Sequence, residues 1–148
     1  MDDRVIYQQL VLNTTPEAVW RKWTTTEGIQ SFFCRNCSID LKLNGNFELY
    51  FMMSNPVGLR GSEGCRFLSY IPGKMLSFSW NAPPEFPEVR NGEKTWCILF
   101  LEETEQNKTL LKFSHLGWHK GEEWDKVYDY FSKAWPVVFN NLEKSIQP

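Results

Sequence analysis

Hydrophobic and polar residues alternate along much of the first 115 residues, and beyond residue 121 the spacing of the apolar residues becomes helical. Alternation with a period of two is typical of a strand that buries one face. In residues 37–43, for example, Ile39 and Leu41 lie between polar neighbours. The pattern predicts seven strands, at residues 5–12, 37–43, 47–53, 64–71, 75–80, 94–102 and 108–115.

Two short helices are predicted between the first and second strands. Thr15, Pro16 and Glu17 are typical of a helix start, because they supply a capping hydroxyl, a proline at the first helical position and an acid in the first turn. A second helix is predicted over residues 27–33, with Thr26 as its N-cap.

A long helix is predicted from Gly121 towards the end of the sequence, because apolar residues recur there every three or four positions. Pro136 lies inside this pattern. It removes one helical hydrogen bond and crowds the carbonyl of Ser132, so we expect a kink at this point. The apolar set is Trp124, Val127, Tyr128, Phe131, Trp135, Val138, Phe139, Leu142 and Ile146.

The turn between the second and third strands contains Asn44, Gly45 and Asn46. A three-residue loop pairs Leu43 with Phe47 and keeps the apolar residues of both strands on one face, whereas a two-residue loop mixes the faces. We therefore predict a bulged hairpin in which Gly45 or Asn46 has a positive φ. The further pairs in this register are Leu41 with Leu49 and Ile39 with Phe51.

The order of the elements predicts an α+β fold within a single domain of residues 1–148. Consecutive strands with short connections form an antiparallel meander. Its apolar face has to be covered, and the long C-terminal helix is the element that can cover it. We expect a curved sheet of about seven strands wrapped around this helix, with a cavity between the two.

Composition and charge exclude several classes of function. Apolar residues make up 42% of the chain and aromatic residues 16%, which indicates a globular protein and not a disordered one. The net charge of −2 predicts no nucleic-acid partner. Neither a membrane span nor a secretory signal is visible, so we expect a cytoplasmic protein with reduced thiols.

Short motifs along nearly the whole chain resemble the START-like (SRPBCC, helix-grip) superfamily, and more narrowly its single-domain family related to the C-terminal domain of the activator of Hsp90 ATPase. The resemblance implies a helix-grip fold with a cavity, and it suggests a chaperone as a partner. The chain departs from the family pattern at Ser31, where the family often carries Trp, and at Asn46, which replaces a glycine. The matching segments are residues 15–20, 29–33, 43–47, 76–80, 109–117 and 134–142.

The favoured function is the binding of a small apolar or aromatic molecule in the predicted cavity. Burial of the ligand surface would stabilise the complex by roughly 25 cal/mol per Å². His115 falls on the apolar face of the seventh strand, and with Tyr50 it would orient a polar end of the ligand. The loop of residues 81–92 would lie near the cavity mouth. The predicted walls are Phe78, Trp80, Trp124, Tyr128, Phe131 and Trp135.

Two motifs that could suggest metal or redox chemistry have ordinary explanations. Cys34 and Cys37 have C-x-x-C spacing, but they follow a predicted helix instead of opening one, which favours accidental half-buried thiols. His115 and His119 lie four residues apart, but Gly117 between them argues against a helix that would direct both at one metal. We therefore predict no metal and no cofactor.

Two other classes of function stay open at this point. A protein-interaction module that assists an Hsp90-type chaperone would need a contiguous charged or aromatic patch outside the cavity. A hydrolase, cyclase or dehydratase would use His115 with a Glu or Tyr partner, but the sequence shows no nucleophile and base together. A ligand-binding protein is favoured over an enzyme.

Overall fold

Seven antiparallel strands and four helices form an α+β fold across residues 1–146, the part of the chain that this computed structural model describes. Two short helices follow the first strand and the longest helix comes last, which confirms the predicted order. The strands are β1 (Ile6–Leu12), β2 (Asn36–Ile39), β3 (Phe47–Tyr50), β4 (Phe67–Ile71), β5 (Met75–Trp80), β6 (Thr95–Glu105) and β7 (Lys108–Leu116). The helices are α1 (Pro16–Thr24), α2 (Thr26–Phe32), α3 (Pro87–Asn91) and α4 (Glu122–Ile146).

The main sheet has five strands in the order β1-β7-β6-β5-β4, and β2 and β3 form a hairpin beside it. The antiparallel bridges Asn46–Arg66 and Tyr50–Gly61 join this hairpin to the segment that leads into β4. Backbone hydrogen bonds from Phe47 to Cys65 and from Phe67 to Gly45 reinforce the join. The seven strands therefore act as one curved surface.

The core lies between this surface and α4. Trp135 and Phe139 of the helix pack on Phe113 of β7, with ring centroids 4.5 and 4.9 Å apart, and all three side chains are buried. Trp23 of α1 closes one side of the core through contacts with Phe139 and with Phe32 of α2. The expected cover of the sheet by the C-terminal helix is confirmed.

Both short helices start at a threonine cap, although one cap differs from the prediction. The hydroxyl of Thr15 accepts the N–H of Ala18, as predicted. The second helix is capped by Thr25 and not by Thr26, because the hydroxyl of Thr25 accepts the N–H of Gly28 and Thr26 is already helical. Helix α4 continues through Pro136, and the kink expected there stays a prediction.

The predicted register of the β2–β3 hairpin is wrong by four residues. Phe47 pairs with Ile39 instead of Leu43, so the loop spans residues 40–46, and Asn44 takes the positive φ of 60°. The shift is an even number of residues, so Phe47 still points inward. The cause is tertiary, because the loop backbone is hydrogen-bonded to residue 67 of β4 through Asn44 and Gly45. Sequence alternation carries no information about that contact.

The proline-rich loop after β5 contains a helix that the sequence analysis did not predict. This helix, α3, begins at Pro87, where the proline occupies the first turn without losing a hydrogen bond. The carboxylate of Glu123 in α4 accepts the N–H of Val89 at 2.6 Å and so ties α3 to the long helix. The loop is therefore anchored on α4.

Candidate functional site

An apolar pocket of about 400 Å³ opens between α4, the end of α2 and the ends of β3 and β5. Its volume lies within the range of roughly 300–1,000 Å³ that is usual for small-molecule sites. One wall is a stripe of α4, in which each member lies three or four residues from at least one other, so that they share a face. These residues are Tyr130, Ala134, Val137, Val138 and Asn141.

The rest of the lining is made of aromatic rings in mutual contact. Phe33, Trp80 and Trp135 form a triangle, with centroid separations of 5.6 to 5.9 Å. Tilted and edge-on pairs at this distance are favourable beyond their burial, which holds the wall in shape. Phe32, Phe51 and Phe131 complete the lining.

A second hollow of about 270 Å³ adjoins the first and shares Phe51, Trp80, Tyr130 and Phe131 with it. It extends towards Pro83 and the start of the loop that contains α3. Residues from the predicted loop 81–92 therefore lie in this second hollow.

Neither hollow is lined by a charged side chain of the described residues. The polar side chains around them are Tyr130, Asn141, Ser62 and Asn81. The hydroxyl of Ser62 is already used, since it accepts the N–H of Leu49 at 2.8 Å and donates to a carbonyl. An apolar interior without charges favours neutral, apolar contents.

His115 lies behind Trp135, fully buried, and both of its ring nitrogens are hydrogen-bonded. The indole N–H of Trp135 donates to Nδ1 at 3.0 Å. An indole nitrogen can only donate, so the proton of the imidazole sits on Nε2, which lies 2.7 Å from Oγ1 of Thr95. The hydroxyl of Thr95 in turn donates to the carbonyl of Trp80 at 3.1 Å. Burial lowers the pKa of His115 to about 3, so the ring is neutral at pH 7.

The same histidine also binds a second tryptophan, which lines neither hollow. The indole N–H of Trp118 donates to the carbonyl of His115 at 3.0 Å, and the ring of Tyr128 packs edge-on against Trp118. We call Thr95, His115, Trp118 and Tyr128 the closed end of the helix–sheet interface. Its buried polar groups have partners, and it contains neither of the two hollows.

At the other end, the indole N–H of Trp80 is buried and has no hydrogen-bond partner within residues 1–146. The ring itself lines both hollows. We call Phe33, Phe51, Trp80 and Tyr130 the open end. An unpaired buried N–H costs roughly 1–3 kcal/mol, so an acceptor that reached it would be favoured.

A buried ion pair holds the loop that borders the open end. The Glu63 carboxylate accepts backbone N–H bonds from Gly58, Arg60 and Gly61. Burial opposes ionisation, but these hydrogen bonds outweigh it and keep the pKa of Glu63 below its ordinary value. Arg90 of α3 contacts Glu63 at 3.3 Å and donates to the carbonyl of Gly58 at 2.8 Å. The loop is therefore fixed to α3, and through α3 to α4.

The family model for Activator of Hsp90 ATPase homolog 1-like proteins matches residues 13–147. The chain belongs to this family. No curated protein matches the sequence. Membership supports the START-like fold, and no helix in residues 1–146 is long and apolar enough to cross a membrane.

Solved structures share the fold of this family member at low sequence identity. Protein MLL2253 from Mesorhizobium loti is 20% identical, with a TM-score of 0.71 and coverage of 96% of each chain. The Aha1 dimer from Colwellia psychrerythraea is 19% identical, with a TM-score of 0.70 and coverage of 97% of this chain and 96% of that one. CalU16 from Micromonospora echinospora is 21% identical, with a TM-score of 0.72 and coverage of 97% and 74%. At these sequence identities, the structural similarity shows a shared fold and nothing more.

Three of the eight residues proposed for the site line the pocket in this family member, namely Trp80, Phe131 and Trp135. His115 lies one layer behind, where it positions Trp135. Phe78 is fully buried in the core, with its ring 4.2 Å from that of Phe47.

The remaining three proposed residues lie away from the pocket. Tyr128 and Trp124 pack on Trp118 at the closed end. Tyr50 is on the outer face of the hairpin, where its hydroxyl donates to Glu48 at 2.6 Å. Burial and the adjacent Glu48 carboxylate raise the pKa of Tyr50 to about 12.

Most of the helix wall was not predicted from the sequence. Tyr130, Ala134, Val137 and Asn141 continue a second stripe beside the apolar stripe of α4, and this spacing was visible in the sequence. Phe33 was predicted as the end of the second helix and as part of a family motif, but not as a site residue. Phe51 was predicted in an alternating strand over residues 47–53, whereas β3 ends at Tyr50.

The cysteine and histidine motifs have local partners. The thiol of Cys34 donates to the carbonyls of Asn36 and Tyr50, and burial raises the pKa of Cys34 and Cys37. Nε2 of His119 lies 3.1 Å from a carboxylate oxygen of Glu93, a pairing that the sequence did not suggest. No group of three metal-ligating side chains occurs in the part of the chain described.

Proposed function

We propose that this protein binds a small apolar or aromatic molecule at the open end of the helix–sheet interface. The observation that carries the proposal is the pocket of about 400 Å³, which has aromatic and aliphatic walls and no charged lining side chain among the described residues. The adjoining hollow lengthens the available space. The pocket walls are held by ring contacts and by the Glu63–Arg90 pair, so binding needs little ordering of the protein.

The four cysteines support a cytoplasmic location for this binding. All four lie in the described residues and none is in a disulfide. Burial raises the pKa of Cys65 to about 12, which leaves its thiol unreactive at neutral pH. Reduced, inert thiols are typical of proteins from a reducing compartment.

Native mass spectrometry of freshly purified protein tests the proposal directly. We expect an excess mass of a few hundred daltons that is lost on denaturation. Ala134 faces the pocket from α4, so A134F fills the space and should remove the excess mass. S132F adds the same ring to an exposed position of the same helix and should retain it.

Titration with the neutral dye Nile red covers the case in which the ligand is lost during purification. The dye should bind wild-type and S132F protein and bind A134F at least tenfold more weakly. Equal binding to all three folded proteins would refute the pocket as the site.

A second candidate function is interaction with an Hsp90-type chaperone. It is supported by family membership and by exposed apolar residues in the loop that follows β3, namely Phe51, Met53, Val57 and Leu59. M53E/V57E should abolish capture of a purified Hsp90-type chaperone if this loop is the contact, while A134F should leave capture unchanged. Unchanged capture by M53E/V57E would refute this loop as the contact.

An enzyme that uses His115 gains no support from the site. The ring is neutral, fully buried and hydrogen-bonded at both nitrogens. A general base has to reach the proton that it removes, and here Trp135 lies between the imidazole and the pocket.

A further inference from the structure

We propose that the ligand is an uncharged, elongated aromatic molecule that spans both hollows and places a hydrogen-bond acceptor on the indole N–H of Trp80. This inference rests on the proposed function and adds the chemical class of the ligand. It assigns to Trp80 the role of specificity donor, which the sequence analysis had given to His115 and Tyr50.

The hydrogen-bond donors around the pocket differ in whether they are free. Trp135 also lines the pocket, but its indole N–H is used by Nδ1 of His115 at 3.0 Å. The N–H of Trp80 has no partner among residues 1–146, although the ring is only 4% exposed. A carbonyl or ether oxygen of a ligand is the simplest partner for a buried donor that the protein leaves unpaired.

The absence of charge argues for a neutral ligand. Neither hollow presents a charged side chain in the described part of the chain. The nearest buried charges, Arg90 and Glu63, already neutralise one another at 3.3 Å. A carboxylate or ammonium group on the ligand would lose its hydration inside the pocket and find no opposite charge.

The arrangement of the two hollows argues for an elongated shape. They meet at Phe51, Tyr130 and Trp80, which are lining residues of both. Phe51 and Tyr130 are 47% and 42% exposed, so their rings can turn without disturbing the core. A flat molecule that spans the hollows would displace the ring of Phe51, which lies 5.9 Å from that of Phe33, and would contact the Phe33–Trp80–Trp135 triangle. Its middle would then be next to Trp80.

Three related probes test separately whether the ligand needs a hydrogen-bond acceptor and whether it has to be uncharged. The first is 4-phenylbenzophenone, which is neutral, elongated and carries a ketone near its middle. In 4-benzylbiphenyl the ketone is replaced by a methylene group, and in 4′-benzoylbiphenyl-4-carboxylate one end is charged. We expect the ketone to bind about fivefold more tightly than the methylene analogue, the net effect of one neutral hydrogen bond, and the carboxylate to bind at least tenfold more weakly.

Two tryptophan variants, one of them a control, test whether the indole N–H of Trp80 donates to the ligand. W80F removes the buried, unpaired N–H of a ring that lines both hollows, whereas W23F removes the other unpaired buried indole N–H, which belongs to a ring that lines neither. The preference for the ketone over the methylene analogue should disappear in W80F and remain about fivefold in W23F. The comparison uses a ratio of affinities within each variant, so a uniform loss of binding from altered packing does not affect it.

Irradiation of the bound ketone adds a readout of position. The excited carbonyl abstracts a hydrogen atom from a nearby C–H group, and the two radicals then join through a new C–C bond as the ketone becomes an alcohol. We expect the adduct on residues 51–53 or 130–138. An adduct confined to residues 115–128 would overturn the placement.

The outcomes distinguish this inference from the proposed function. Equal affinity for the ketone and its methylene analogue, or a ketone preference that survives in W80F, would overturn the role of Trp80 and leave pocket binding intact. Equal affinity for the carboxylate would overturn the neutral class. If none of the probes binds while native mass spectrometry shows a ligand, this inference fails alone. If no probe binds and no ligand is found, both fail.

Discussion

The two ends of the helix–sheet interface both carry tryptophan and tyrosine rings, but the hydrogen bonds of their tryptophans differ. Thr95 and His115 complete the closed end, and Phe33 and Phe51 complete the open end. At the closed end, His115 accepts the N–H groups of Trp118 and of Trp135, and the residues of this end line neither of the two hollows. At the open end, Trp80 borders two hollows and its N–H has no partner among the described residues. Aromatic content therefore does not distinguish the two ends, whereas the hydrogen bonding of their tryptophan N–H groups does.

The largest expected effect comes from breaking the closed end at its centre. His115→Ala leaves the indole N–H of Trp135 unpaired and creates a cavity among buried rings, so the free energy of unfolding should fall by about 4 kcal/mol. Urea denaturation measures this change. His119→Ala, at the partly exposed surface pair with Glu93, should change stability by less than about 0.5 kcal/mol. Equal effects of the two substitutions would contradict a structural role for His115.

Replacing Trp135 or Trp80 by phenylalanine should affect stability to different extents, because only one of the two indole N–H groups is hydrogen-bonded. Trp135→Phe leaves Nδ1 of His115 buried without a donor and should destabilise the protein by about 3 kcal/mol. Trp80→Phe leaves no acceptor unpaired, so we expect a loss of only about 1 kcal/mol from reduced packing. Thermal or urea unfolding of both variants gives the difference, and a larger loss for Trp80→Phe would reverse the assignment of the two ends.

As the pH falls, the protonation of His115 on unfolding should lower the stability of the protein before the protonation of carboxylates does. The pKa of His115 is about 3 in the folded protein and about 6.5 in the unfolded chain, so between these values the unfolded state binds the extra proton. Stability is therefore fully present above pH 6.5 and falls as the pH drops towards 3, by about 2 kcal/mol at pH 5.

Urea unfolding at pH 7, 6 and 5 measures this dependence. The carboxyl groups of Glu48 and Glu63 have lowered pKa values, so the stability that they contribute is present above about pH 4.5 and is lost only as the pH falls below it. A stability curve that is flat from pH 7 to pH 5 would show that His115 is accessible to protons in the folded state.

The smallest expected effect on stability comes from the rim of the open end. Val137 is 59% exposed and lines the pocket, so Val137→Ala should change the free energy of unfolding by less than about 0.5 kcal/mol. The lost contact should still weaken binding of 4-phenylbenzophenone by about threefold. Calorimetric titration measures the binding, and Asn140→Ala, on an exposed position of α4 outside the pocket, is the control.

Much of the fold could be predicted because it follows from local patterns. The alternation in β5, β6 and β7 and the period of α4 are strong, and Thr15 marks the start of α1. The hairpin register failed because residues 44 and 45 are paired with β4, a contact between distant segments. Helix α3 was missed because a run of prolines is typical of an irregular loop.

The site was less predictable, for reasons that individual residues illustrate. Alternation in β3 already placed Tyr50 on the outer face with Glu48, so its proposed role conflicted with the pattern used to define the strand. Periodicity places His115 on the inner face but cannot show that Trp135 and Thr95 occupy both of its nitrogens. Side chains such as Phe51, in a loop, reach the pocket only through the tertiary fold.

Indole N–H signals in a nitrogen–proton correlation spectrum test the difference between the two ends most directly, because the chain has seven tryptophans that report separately. On addition of 4-phenylbenzophenone, the signal assigned to Trp80 through W80F should shift strongly to lower field as its N–H gains an acceptor. The signals of Trp118 and Trp135, already bonded to His115, should move little. A spectrum in which the signal of Trp118 shifts and that of Trp80 does not would place the ligand at the closed end and contradict the proposed site.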